Sequence, residues 1–230
     1  MKQIKFLVLL TISCLAFFKG SCPKDNEVDI DKINQNYFIR YNEAKLELYT
    51  EATFKLPSGT EVELTSPSYI KLNGLPLTKS LIGSVYTLTV TGTALASNYQ
   101  WEYNDNQNRV YKNEINFNGR TISFLPLPDS VQRTAPVNIS WNSVVQTDEN
   151  VKVNIINSVN DSTLVTIEQN VVGATNIQVI FSSYVPSAVN KIYLQAIRHY
   201  ETGIQQKTPS GDGRIKLDYY SKRDSIKLSN

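Results

Sequence analysis

The stretch Ala44-Lys-Leu-Glu-Leu-Tyr-Thr-Glu-Ala-Thr-Phe-Lys-Leu56 alternates between two kinds of side chain along its whole length. The even-numbered positions are mostly apolar, and the odd-numbered positions are charged or polar. A helix would scatter the apolar set around its circumference, whereas a strand places it on one face. The stretch therefore predicts a strand with one buried and one solvated face. It is a candidate sheet edge for addition of a partner's strand, or a strand shared between two sheets.

The same two-residue period recurs along the rest of the chain, in short runs separated by turn sequences. Asn73-Gly74 and Asn118-Gly119 are dipeptides typical of tight β-turns. Short alternating strands with regularly spaced turns are typical of β-sandwiches, and the alternation favours antiparallel sheets with one solvated face. The sequence therefore predicts an all-β fold, with no helix of normal length after the first 21 residues.

A domain boundary is predicted near the middle of the chain. Three prolines between 126 and 136 bracket a polar stretch, and the alternating pattern restarts after them. We therefore expect two consecutive antiparallel, immunoglobulin-like β-sandwich domains, over 37–129 and 134–230. Each would contain one tryptophan within a strand.

Residues 1–21 have the organisation of a lipoprotein signal peptide. Two lysines precede an uncharged run over 6–18, and small residues lie just before Cys22. The uncharged run is shorter than the roughly 20 apolar residues that a membrane-spanning helix needs. We expect the leader to be removed and the Cys22 thiol to be lipidated, with Cys14 as the rival position.

The sequence Cys22-Pro-Lys-Asp-Asn-Glu27 resembles the surface-export signal of Bacteroidota lipoproteins, a lysine followed by acids, through Lys24, Asp25 and Glu27. An ordinary solvated acidic linker is the alternative. Residues 22–36 are polar and acidic with no hydrophobic period, so we expect a flexible tether. A reach on the order of 25 Å would lift the folded part away from the lipid headgroups.

The leader, together with stretches such as Asn73-Gly74 and Tyr99-Gln-Trp-Glu-Tyr103, makes the chain similar to two-domain immunoglobulin-like surface lipoproteins of the Bacteroidota. Many members of that group have no assigned activity. The resemblance implies a protein that is held at the outer membrane by N-terminal acyl chains and faces the cell exterior. The cysteine pair of antibody-type domains is absent, so no disulfide is implied.

Charge and composition exclude several classes of function. Three of the 23 basic residues lie in the leader, so 20 basic and 21 acidic residues remain after its removal. A near-neutral chain has no electrostatic basis for binding nucleic acid. With two cysteines and one histidine, the chain has no Cys-based or His-based metal site, and we expect no metal and no cofactor.

Four aromatic residues form a candidate ligand platform. Tyr99, Trp101 and Tyr103 share one face of a predicted strand, and Tyr111 lies on its hairpin partner. If exposed, such a set would stack against sugar rings. The polar residues between them are the natural outward positions, however, and this favours burial of the aromatic set in the core.

Three short motifs resemble the O-glycosylation signal of exported Bacteroidota proteins: Asp129-Ser130-Val131, Asp161-Ser162-Thr163 and Asp224-Ser225-Ile226. They would place glycans on Ser130, Ser162 and Ser225. Each lies at a predicted loop or strand end, where a bulky modification fits.

The sequence gives no reason to assign a catalytic residue. No nucleophile motif such as Gly-x-Ser-x-Gly accompanies the single histidine, His199. Carboxylate pairs such as Glu61 and Glu63 lie on polar strand faces, where solvation explains them. We therefore expect a non-enzymatic module that binds or scaffolds a surface protein or glycan through loops or a sheet edge. The alternatives are a carbohydrate-binding accessory lipoprotein of a glycan-uptake system, an adhesive or pilin-like subunit, and a glycan-acting hydrolase.

Overall fold

The computed structural model describes residues 22–81 and 83–229, so the predicted signal peptide lies outside the described part of the chain. More than half of the described residues lie in strands, which confirms the prediction of an all-β fold. The described residues contain helical structure only as single 3-10 turns, at Asp25–Glu27, Ile30–Lys32 and Phe181–Ser183. No helix among them is long and apolar enough to cross a membrane.

The strands are numbered in chain order. They are β1 (Asn34–Asn42), β2 (Glu47–Lys55), β3 (Tyr69–Leu72), β4 (Leu75–Pro76), β5 (Thr78–Lys79), β6 (Val85–Thr91), β7 (Asn98–Asn104), β8 (Val110–Asn116), β9 (Ser130–Gln132), β10 (Pro136–Ser140), β11 (Glu149–Asn157), β12 (Thr163–Gln169), β13 (Asn176–Ile180), β14 (Lys191–Gly203) and β15 (Gly213–Ser229).

Nine strands form one large sheet in the order β12-β11-β14-β15-β1-β2-β6-β5, with β9 paired to the C-terminal end of β15. A four-stranded sheet has the order β4-β3-β7-β8, and β10 pairs with β13 in a two-stranded sheet. The pairs β1–β15 and β9–β15 are parallel, and the other strand pairs are antiparallel. The predicted antiparallel sheets are therefore confirmed, with two parallel exceptions.

The long strand β15 joins the two halves of the chain. Its first part pairs with β1, its last residues pair with β9, and β14 runs along its other side. Strands from the predicted domains 37–129 and 134–230 therefore lie in one hydrogen-bonded sheet. The stretch between them contributes β9 to that sheet and does not separate two independent sheets. Alternation is a local signal, and it does not specify which strands pair over long range.

The smaller sheets pack against the large one to give the layers of a sandwich. Trp101 of β7 stacks on Tyr37 of β1, with 5.1 Å between the ring centroids. Ile139 of β10 and Val179 of β13 are buried in the same continuous apolar core. Packing of inner faces between sheets is what the alternating sequence pattern requires.

Most of the alternating stretch 44–56 becomes β2, an interior strand between β1 and β6. Its residues alternate between half-buried and buried, as the two-face prediction requires. The strand begins later than expected, because Leu46 has a φ of 49° and lies in the turn after β1. An interior strand has both backbone edges paired, so the hypothesis of strand addition at this stretch is wrong. It is also not shared between two sheets.

Residues 22–36 belong to the fold, so the prediction of a flexible tether is wrong. The Asp25 N–H donates to the carbonyl of Glu63 at 2.8 Å. Ile30 and Ile33 are buried in the core, and β1 follows directly. Two isoleucines are too few to create a visible period among acidic neighbours, yet their burial is enough to hold the segment against the sheets.

Candidate functional site

The predicted aromatic platform is buried. Tyr99, Trp101, Tyr103 and Tyr111 are 4%, 0%, 0% and 9% exposed, and the Trp101 indole N–H donates to Thr50 Oγ1 at 3.1 Å. Burial raises the pKa of Tyr103 far above its ordinary value. The polar residues between the aromatic ones face outward. The hypothesis of a sugar-stacking surface at these positions is therefore wrong, and the expectation of a core role is confirmed.

The predicted export-signal residues are not equally accessible. The Asp25 carboxylate is buried and accepts hydrogen bonds from the Thr65 N–H at 3.0 Å, from the Thr65 hydroxyl at 2.6 Å and from the Ser68 hydroxyl. Lys24 and Glu27 are exposed, and the Lys24 N–H donates to the Glu27 carboxylate at 3.3 Å. Asp25 therefore fixes the start of the described part of the chain to the 65–68 loop, and its carboxylate is not exposed as Lys24 and Glu27 are.

The three predicted O-glycosylation serines are exposed and lie near the C-terminal end of β15. Ser225 is on β15, and Ser130 begins β9, which pairs with β15. The neighbour of Ser162, Asp161, forms a salt bridge with Arg223 at 3.0 Å. The fold thus gathers positions that are distant in sequence, while their modification stays a prediction.

The single histidine lies on the outer face of the large sheet. His199 Nδ1 is 2.6 Å from the Asp218 carboxylate. Arg40, opposite Asp218 on β1, lies over the rings of Tyr49 and Tyr220 at 4.9 and 5.9 Å. Within the described residues, no group of three or more His, Cys, Asp or Glu side chains is placed to hold a metal ion.

An open cleft of about 430 Å³ lies where the four-stranded sheet meets the C-terminal part of β14. The residues that line it are Asn98, Glu114, Ile115, Asn116, Arg120, Tyr200, Thr202 and Gln205. They come from β7, β8, β14 and the segments that follow β8 and β14. Sequence reasoning missed this site, because its residues come from separate strands and connections that are distant in sequence, and they carry no motif.

Arg120 closes one side of the cleft. Its guanidinium carbon is 3.7 Å from the centroid of the Tyr200 ring, and its Nη1 donates to the carbonyl of Asn116 at 3.1 Å. The Arg120 Nε is buried without a hydrogen-bond partner, and the Glu149 carboxylate lies 3.7 Å from it. Glu149 is in turn held by the fully buried Arg198 at 3.0 Å. The cation–π contact and this buried pair fix the position of the Arg120 side chain.

Gln205 is bonded twice to Glu114 on the edge of β8, and this contact, the Gln205 clamp, fixes the opposite side of the cleft. The Glu114 N–H donates to Gln205 Oε1 at 2.9 Å, and Gln205 Nε2 donates to the Glu114 carbonyl at 3.1 Å. Asn113 Oδ1 accepts the N–H groups of Gln205 and Gln206 at 2.8 Å each. These bonds cover the free strand edge and hold the segment after β14 against it.

Apart from the Arg120 guanidinium and the Glu114 carboxylate, the lining of the cleft is uncharged and mostly polar. Asn98 and Asn116 supply amides, Thr202 a hydroxyl and Tyr200 an aromatic ring. The Glu114 carboxylate accepts from Asn98 Nδ2 at 3.2 Å. Paired donors and acceptors beside one ring match neutral polar groups better than they match an ion.

Comparison with known proteins does not identify a family. No family model matches the chain, and no curated protein matches it. Similar solved structures include a cytokine receptor complex chain, at 11% identity and TM-score 0.31, covering 84% of this chain and 96% of that one. The adhesin InvE of Yersinia pseudotuberculosis has 11% identity and TM-score 0.23, covering 83% and 59%. SGBP-B of the Bacteroides ovatus mixed-linkage glucan utilization locus, solved with a mixed-linkage heptasaccharide, has 11% identity and TM-score 0.24, covering 86% and 60%. At these TM-scores the similarities carry no argument about fold or function.

Proposed function

We propose that the protein is a non-catalytic binding module at the cell surface, anchored by lipid on Cys22, with the cleft as its ligand site. The observation that carries this proposal is the fixed geometry of the cleft, held by the Gln205 clamp and the stack of Arg120 on Tyr200. A site whose side chains are already positioned binds without first ordering them.

The distribution of carboxylates supports binding over catalysis. Glycoside hydrolysis uses two carboxylates that flank the scissile bond. Among the cleft-lining residues that the structure describes, Glu114 is the carboxylate, and nearby Glu149 is buried against Arg198. A hydrolase would need a second accessible carboxylate at this place.

The anchor is the second part of the proposal. Cys22 is the first residue described, is half-buried and has a free thiol. We propose that the leader is removed and that acyl chains on Cys22 hold the protein at the outer membrane, facing outward. Cys22→Ser should move the protein to the soluble fraction and abolish incorporation of labelled palmitate. Continued sedimentation with membranes, together with continued labelling, would show that the anchor is elsewhere.

A carbohydrate-binding accessory protein of a glycan-uptake system is the more specific form of this proposal. The amide and hydroxyl groups of the cleft support it, because sugars present pairs of hydroxyl groups that both donate and accept hydrogen bonds. The adhesive and scaffolding alternatives would use a larger surface than this cleft.

The experiment is a binding screen with soluble polysaccharides and their oligosaccharides, followed by calorimetry on any that bind. Thr202→Val removes one hydroxyl from the cleft at nearly constant shape, and we expect binding about tenfold weaker. Thr87→Val on the outer face of β6 is the matched control, for which we expect unchanged affinity. Equal affinity of both variants and the wild type would contradict the cleft as the site. Release of reducing ends would favour the hydrolase alternative.

A further inference from the structure

The start of the described chain lies beside the β5–β6 connection at one end of the large sheet. Lys24 pairs with Glu63 in a parallel bridge. The Glu63 N–H donates to the carbonyl of Pro23 at 2.9 Å, so the residue that directly follows Cys22 is bonded to the 61–63 segment. The Glu61 carboxylate accepts the Ser84 N–H at 3.0 Å. Cys22 and the connection before β6 therefore adjoin the same short segment.

Leu81 extends from this connection into solvent. It is 104% exposed, more than any other large apolar side chain in the described chain. On one side of it Lys79 binds Glu63 at 2.6 Å, and on the other Ser84 is held by Glu61. Both ends of the connection are thus fixed against the segment that runs beside Cys22. Leu81 is consequently held close to the predicted lipid anchor.

The charges at this end of the sheet are balanced. Lys55 pairs with Glu61 at 3.9 Å and Lys79 pairs with Glu63 at 2.6 Å, and the exposed Lys24 and Glu27 carry opposite charges. This arrangement neither repels anionic headgroups nor forms a polybasic patch of the kind that binds them. The balanced charges at this end of the sheet therefore favour an apolar contact with lipid over an electrostatic one.

The distance between this end of the sheet and the lipid depends on the length of chain between Cys22 and the first buried residue. Asp25 is buried and hydrogen-bonded to the 65–68 loop, so only Pro23 and Lys24 separate it from Cys22. Acyl chains on Cys22 would therefore hold the fold at the level of the headgroups. At that height a fully exposed leucine beside the anchor meets lipid rather than water.

We propose that Leu81 inserts into the membrane next to the acyl chains on Cys22, so that two contacts fix the orientation of the fold. This inference rests on the lipidation of Cys22 proposed above. At the anchored end, Asn34 of β1 pairs with Lys55 of β2, and the next residue of β1, Gln35, pairs with Gly213. Strand β15 therefore begins at the anchored end and runs away from it. From Gly213 to Ile226 it extends roughly 40 Å at about 3.3 Å per residue. The predicted glycosylation serines therefore lie far from the lipid.

The test uses the full lipidated chain, reconstituted into phosphatidylcholine–phosphatidylglycerol vesicles. Leu81→Cys and Val159→Cys each receive a nitrobenzoxadiazole label, since the thiol of Cys22 is blocked by lipid. Val159 is the matched control, because it is 87% exposed and lies in the β11–β12 turn at the far end of the sheet. Circular dichroism confirms that both variants fold. Flotation measures vesicle binding, and lipid-attached quenchers measure the depth of each label.

We expect both variants to float with the vesicles. Only the label at position 81 should shift its emission to the blue and be quenched from about 5–10 Å below the interface, with no change in high salt. Flotation of both variants with equal, water-like emission would overturn the insertion of Leu81 and leave the anchor standing. Failure of the unlabelled lipoprotein to float would overturn both the anchor and this inference.

Discussion

The substitution Arg198→Met tests whether one buried guanidinium holds the two halves of the chain together. Arg198 occupies an inward position of β14 and is fully buried, with Glu149 at 3.0 Å. Its Nη1 donates to the carbonyls of Gly119 and Thr121 at 3.1 and 3.3 Å, and its Nη2 donates to the carbonyl of Val144. Segments on either side of the 129–134 connection thus meet at one side chain.

The expected loss of unfolding free energy follows from the buried Glu149 carboxylate that the substitution leaves behind. Methionine keeps the aliphatic volume but leaves the Glu149 carboxylate, 2% exposed, without its closest cation. Removing one partner of a buried ion pair costs about 3–5 kcal/mol. For a chain of this length, each 1 kcal/mol lowers the melting temperature by about 2–4 °C, so we expect a fall of about 6–20 °C.

The assay is urea and thermal unfolding of the variant beside two controls. Arg223→Met removes an arginine from the exposed ion pair with Asp161, and we expect a loss of about 0.2–1 kcal/mol. Adding Glu149→Gln to Arg198→Met should restore part of the stability, because it removes the buried charge that has lost its closest cation. If Arg198→Met is no less stable than Arg223→Met, the guanidinium does not hold the halves together.

Three further predictions concern the buried polar and aromatic groups. Asp25→Ala leaves the donors of the 65–68 loop unpaired and should destabilise the fold by about 1–3 kcal/mol in urea. Asp29→Ala should leave the unfolding midpoint unchanged, and equal effects of the two substitutions would argue against a structural role of Asp25. Trp101→Ala should cost about 3–5 kcal/mol and leave ligand binding at the cleft intact, and the opposite pattern would restore the sugar-platform hypothesis. Burial raises the pKa of Tyr86 to about 12, so the stability it contributes is complete below about pH 10 and is lost as the pH rises through about 12. Tyr86→Phe should make the alkaline decline in unfolding free energy shallower, and an unchanged decline would exclude this tyrosine as a cause.

The alternating pattern was sufficient for the local structure of the sheets. The burial of β2 from Glu47 to Lys55 follows the sequence residue by residue. The inward position of Trp101 also follows, because its polar neighbours on the strand can only be solvated on the other face. These features depend on side chains within one strand, and the sequence contains all the information they need.

The cleft could not have been predicted in the same way. Its lining joins Asn98 of β7, Arg120 of the connection after β8 and Tyr200 of β14, about 100 residues apart at the extremes. Taken one segment at a time, each is an ordinary polar or aromatic residue without a motif around it. Their chemistry as a group arises only when β8 and the segment after β14 are clamped together through Gln205.

The sequence by itself determined the all-β class and the buried faces of the strands, because a period of two is set by the geometry of each strand alone. The tertiary structure decided that β15 unites both halves in one sheet, that β2 is interior and that residues 22–36 are ordered. These outcomes depend on long-range hydrogen bonds such as the pairing of β1 with β15 and on the burial of Asp25 beside Thr65. Strand pairing is governed by the free energy of the whole assembly, and no local period records it.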